Sequence, residues 1–176
     1  MDTHVVRRGF EAVESFERVD GPAVAMQERA RRMLPEGRAT EFVAGRWLGH
    51  PMHPLLVQVP IGAWLSAAVL DLVPGQERAA KKLVLIGLLT APVAAVAGLV
   101  DARNLERRQL RVAAVHAATN LAATLSYAAS YRCRVRGHRT AGRFWAWIGL
   151  AAVGLGGSLG GHLSYAQGAG VGRWQR

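Results

Sequence analysis

The stretch Leu83–Val100, LVLIGLLTAPVAAVAGLV, runs for eighteen residues without a single charged side chain. A helix that is apolar all round belongs in the centre of a large core or in a bilayer, and about 20 residues span a hydrocarbon core. A chain of 176 residues is one modest domain and offers little room for the first option. Three further segments have similar character: roughly 55–73, 112–131 and 144–166, beside the second at 83–100. A soluble four-helix bundle carries polar stripes, and the second and fourth segments have none. The third is diluted by His116, Thr119, Asn120, Thr124 and Ser126, groups that can hydrogen-bond to partner helices within a membrane bundle.

The connections, at about 74–82, 101–111 and 132–143, are short, so neighbouring helices are expected to be antiparallel. The expected fold is all-α: an integral membrane four-helix up-down-up-down bundle over residues 47–172, with a tail at 173–176. Pro74-Gly75 ends the first helix and Pro92 kinks the second. Trp47, Trp64, Trp145, Trp147 and Trp174 mostly fall near helix ends, as interfacial anchors do. Residues 1–46 form a short amphipathic helical segment, FEAVESFERV and AVAMQERARRML being separated by Asp20-Gly21-Pro22 and stopped by Pro35. Two readings of that segment stay open, helices lying on the membrane surface or a docking site for a partner protein.

The formal charge of +10 sits unevenly. Residues 1–46 hold eight basic and eight acidic side chains, while residues 47–176 hold fourteen basic against Asp71, Glu77, Asp101 and Glu106. The basic residues lie in blocks between apolar runs, which points to membrane loops and away from nucleic acid. Asp71 is expected to pair with Lys81 or Lys82. Lys/Arg number eight on each side of the expected bundle, so the basic-loop rule does not choose an orientation. The charged N-terminal segment shows no apolar leader, and both termini are therefore expected in the cytoplasm. Cys133 is the only cysteine, so no internal disulfide forms.

Alternating helix direction brings scattered polar residues to one end of the bundle. His50 and His53 open the first helix in the box GHPMHP, Asp101 ends the second, His116 lies early in the third and His162 late in the fourth. Imidazoles from several helices suit haem b through one or two axial ligands, drawn from His50, His53, His116 and His162. With Asp101, the same set suits zinc, copper or iron. Asn120, four residues after His116, is placed to orient an imidazole or to bond across to another helix. Gly157, Gly160 and Gly161 in GLGGSLGGH allow close approach of a macrocycle, or of a neighbouring helix through Gly156-x-x-x-Gly160 and Gly157-x-x-x-Gly161. The alternative to a cofactor site is a non-catalytic scaffold or partner-docking protein whose histidines only cap and hydrogen-bond. No Ser–His–Asp pattern, phosphate loop or paired-carboxylate motif supports hydrolysis or nucleotide chemistry.

The segments LGHPMHPLLVQVPIGAWLSAAVLDLV, GLLTAPVAAVAGLVD, VHAATNLAATLSYAASY and GGSLGGHLSYAQGAGV resemble the prokaryotic membrane family labelled domain of unknown function 2231, over roughly residues 46–172. The resemblance implies a multi-pass protein of a bacterial cell membrane, surrounded by lipid and open to oligomerisation. Some relatives carry a Rieske-type iron–sulfur domain after the fourth helix. For this chain, which has no cluster ligands, that implies a separate iron–sulfur or other redox partner.

Overall fold

The computed structural model describes residues 3–171; Trp174 and the 173–176 tail lie outside them. The described residues are helical and contain no strand. In chain order the α-helices are α1 (Thr3–Glu14), α2 (Asp20–Met33), α3 (Arg38–Ala44), α4 (His53–Leu56), α5 (Gln58–Leu70), α6 (Glu77–Ala102), α7 (Arg107–Val135) and α8 (Arg139–Gly161). A π-helical turn, His162–Ala166, prolongs α8. The break between α4 and α5 sits one turn before Pro60, whose missing N–H leaves the Leu56 carbonyl without its helical donor. α6 and α7 overrun their apolar segments at both ends, and α8 at its start, because charged residues at helix ends do not oppose helix formation.

Among the described residues, three stretches are long and apolar enough to cross a membrane: His53–Leu70, Glu77–Ala102 and Arg139–Ala166. The third segment of the sequence lies in α7, 29 residues long, but it is not among them by composition. His116 and the run of Thr, Asn and Ser lower its hydropathy.

By contact density the chain divides into two units. One takes the chain up to Met52, Ala97–Ala118 and the chain from Gly156 onward; the other takes His53–Val96 and Thr119–Leu155. In the second unit, Trp64 and Ala67 of α5, Val84 of α6, Ala123 and Tyr127 of α7, and Ala146 and Val153 of α8 form one core. Alanine dominates what is buried there, whereas Leu65, Val69, Leu89, Val93, Leu121, Leu125 and Leu155 are exposed, Leu89 to 67%. Large apolar side chains outside and small ones between helices are what a lipid-solvated bundle requires.

In the first unit, Val112 and Ala113 of α7 pack with Leu159 of α8 and Leu163, and Phe10 and Val13 of α1 close this core. Phe10 and Val13 of α1 are therefore spent on protein, while Val5 and Val6 stay exposed. α2 buries the stripe Ala23, Gln27 and Ala30. Gln27 Nε2 donates to the carbonyls of Ala102 and Leu105, each at 3.0 Å, and Arg31 Nε donates to that of Arg103 at 2.9 Å. Carbonyls at a helix C-terminus lack intrahelical donors, and α2 supplies them for α6.

Candidate functional site

Four of the five residues expected to converge, His50, His116, His162 and Asp101, belong to the first unit; His53 belongs to the second. Asp101 is half-buried in the last turn of α6. His50 is exposed and makes no hydrogen bond or ion pair with the described residues. Its backbone is the fixed part: Gly45, at φ +83°, packs so closely that a Cβ there would lie 2.0 Å from the His50 carbonyl oxygen. Only glycine fits that conformation and that contact.

His116 is held by α8. Its Nδ1 lies 2.8 Å from the Gly156 carbonyl oxygen. A carbonyl only accepts, so Nδ1 carries the proton in that bond. A Cβ on Gly160 would stand 3.0 Å from His116 Cε1. Among Gly154, Gly157, Gly160 and Gly161, only Gly160 would bring a Cβ within 4 Å of another group, so the glycine run makes room for an imidazole at one position. Asn120 falls in the second unit, where its carbonyl accepts from Thr124 Oγ1 at 2.9 Å.

His162 lies in the π-helical turn, its ring stacked on Phe10 with centroids 4.3 Å apart and planes 2° from parallel. Its Nε2 donates to Glu14 Oε1 at 2.6 Å. Glu14, the last residue of α1, is 7% exposed and gathers four donors. Besides His162 these are Gln167 Nε2 at 2.8 Å, Arg108 Nε at 2.8 Å and Arg108 Nη2. Beside it, Arg111 Nε and Nη2 grip Asp20 at 2.6 and 2.8 Å, and Arg111 Nη1 donates to the Glu14 carbonyl at 3.0 Å. A bidentate arginine–carboxylate pair fixes orientation as well as distance. The N-terminal helices are thus clamped to the start of α7 and the end of α8. Sequence reading did not find this clamp; its only trace was the acid–base balance of residues 1–46.

Burial pushes the Glu14 carboxyl up, but hydrogen bonds from His162, Arg108 and Gln167 outweigh it and leave the group below the usual glutamate range. Hydrogen bonding from Arg111 is the largest influence on Asp20; burial opposes it, and the charges of Arg111 and Arg107 add to the lowering. A carboxylate whose folded pKa is depressed stabilises the fold above its unfolded pKa and loses that contribution as pH falls through the folded value. The clamp is therefore expected to hold at neutral pH and to loosen below about pH 4. Hydrogen exchange of α1 amides, corrected for intrinsic rate, would show protection lost in that range. Protection that persists to about pH 2 would contradict it.

In the second unit, His53 at the start of α4 places Nδ1 2.8 Å from the Ala94 carbonyl of α6. Asp71 pairs with Arg134 of α7 and not with a lysine: Arg134 Nη1 donates to Oδ1 at 2.8 Å and Nη2 to Oδ2. Arg134 Nε donates to Ser130 Oγ at 3.1 Å, which in turn donates to the Gly142 carbonyl at 2.6 Å. Among the described residues, no three His, Cys, Asp or Glu side chains gather closely enough to hold a metal ion.

Residues 49–173 match the family described as "Predicted membrane protein (DUF2231)". No curated protein and no solved structure matches the chain. The match begins at the glycine of GHPMHP, so Glu14 and Asp20 lie outside it while their partners Arg108, Arg111, His162 and Gln167 lie inside. With most of its length covered and three helices fit to cross a bilayer, the chain belongs to the DUF2231 family of predicted membrane proteins.

Proposed function

We propose that the chain is a non-catalytic membrane scaffold of the bacterial cell membrane, and that its histidines are structural fasteners. One observation carries this reading. His53, His116 and His162 each commit a ring nitrogen to an acceptor of the chain itself: the Ala94 carbonyl, the Gly156 carbonyl and the Glu14 carboxylate. Each bond joins two segments distant in sequence, which is what a fastener does.

The reading is tested by substitutions that keep one donor and discard the imidazole. Asn places an N–H near the position of Nδ1, and Gln near that of Nε2. His116→Asn and His162→Gln are expected to stay within about 1 kcal/mol of wild type in detergent. His116→Ala and His162→Ala are expected to lose about 1–3 kcal/mol, through the lost bond and the space left behind. Conservative variants as damaged as the alanines would count against fasteners.

A second reading has its own support. Imidazoles that ligate iron commonly donate their other N–H to a backbone carbonyl, as His116 does to Gly156, and Gly160 leaves room beside the ring. Under it, the chain is a haem b subunit that exchanges electrons with a separate iron–sulfur or other redox protein, or its histidines take zinc, copper or iron.

A further inference from the structure

Every charged residue of the second unit lies in two short stretches, 71–82 and 132–143. They hold eight Lys/Arg against two acids, Asp71 and Glu77. Ion pairs tie the stretches into one surface: Arg134 and Arg143 face Asp71, and Arg139 Nη1 lies 3.4 Å from Glu77 Oε1. Those pairs occupy both acids. Arg78, Lys82, Arg132 and Arg136 remain exposed and have no ion pair among the described residues. Arg143 Nε stands 3.7 Å from Asp71 Oδ1, beyond hydrogen-bond reach, and finds no hydrogen-bond partner among the described residues.

The same surface is edged by apolar and aromatic side chains. Leu72 is 72% exposed, and Phe144, Trp145 and Trp147 at the start of α8 are exposed beside the arginines. Exposed tryptophan next to basic residues at the end of an apolar span marks the headgroup level of a bilayer. A ligand for this surface must carry negative charge and stand against hydrocarbon.

We propose that this basic end of the second unit binds the phosphate groups of anionic phospholipids, with Arg78, Lys82, Arg132 and Arg136 supplying the charge and Trp145 and Trp147 seating against the acyl boundary. Free phosphate satisfies the arginines but not the aromatic edge, and a nucleic acid meets apolar side chains it has no use for. Clusters of Lys/Arg beside a membrane span attract anionic lipid through a field that salt screens.

The test uses the full chain in neutral detergent, with tryptophan fluorescence quenched by brominated phosphatidylglycerol or brominated phosphatidylcholine. Phosphatidylglycerol is expected to half-quench at about a tenfold lower mole fraction. High salt should abolish that preference, and millimolar inorganic phosphate should leave it intact. The variant with Arg78, Lys82, Arg132 and Arg136 all changed to Gln should lose the preference while keeping the Asp71 and Glu77 pairs. Equal quenching by the two lipids, a preference retained in the variant, or displacement by inorganic phosphate would each overturn the proposal. If the fourfold variant does not fold, the wild type at high salt and the Arg132→Gln, Arg136→Gln double variant decide it by the same criteria.

Discussion

Arg134→Met is expected to destabilise the protein by about 3–5 kcal/mol, the cost of stripping a buried ion of its partner. The Asp71 and Arg134 side chains are 4% and 5% exposed, and both oxygens of Asp71 are spent on the one guanidinium. Methionine fills a similar volume but leaves the carboxylate facing Arg143 at 3.7 Å, too far to replace two hydrogen bonds. It also removes the donor that Ser130 Oγ accepts. The partner substitution separates charge from packing. Asp71→Leu combined with Arg134→Met should regain most of the loss, because a buried pair replaced by apolar groups is often neutral. Thermal or denaturant midpoints in one detergent measure both variants. A single variant within about 1 kcal/mol of wild type would mean that solvent reaches Asp71.

Gly87→Ala should cost about 3 kcal/mol or more, although alanine favours a helix interior by about 1 kcal/mol. The added Cβ would stand 2.1 Å from Trp64 Nε1 and 2.5 Å from Cδ1. The indole has nowhere to move. It is 4% exposed, stacks on Tyr127 with centroids 4.2 Å apart, and donates to the Val84 carbonyl at 3.3 Å. Tyr127 is itself pinned from the side of Gly149, where a Cβ would lie 2.7 Å from its Cε2. Adding Trp64→Leu to Gly87→Ala removes the clash at the cost of the stack, so the double variant should melt above the single one. A Gly87→Ala protein that melts with wild type would show that α5 and α6 can separate at no cost.

What the sequence disclosed follows from the range of each interaction. Apolar runs are local, so Leu83–Val100 announced a spanning helix, and the polar groups of the third segment already set it apart from the other three. The pairs that fasten the fold are not local. Glu14 and Arg108 are 94 residues apart, Asp20 and Arg111 are 91 apart, and many equivalent charges compete for each role. Asp71 illustrates the difficulty: Lys81 and Lys82 are nearer in sequence, yet Arg134 has the forked geometry that satisfies both carboxylate oxygens. That His50, His53, Asp101, His116 and His162 lie near the ends of apolar segments was readable from the hydropathy pattern. Their acceptors were not, since a backbone carbonyl such as that of Ala94 or Gly156 leaves no mark in the sequence. The run GGSLGG likewise concealed that Gly160 makes room for His116, while Gly157 and Gly161 would each accept a methyl group without contact.

The fastener account meets its most direct test in the reduced-minus-oxidised absorption spectrum of the detergent-purified protein, expressed with ample haem and analysed for metals in the same sample. The account predicts no Soret band and no stoichiometric zinc, copper or iron. A Soret band or a stoichiometric metal that disappears in His116→Asn would contradict it.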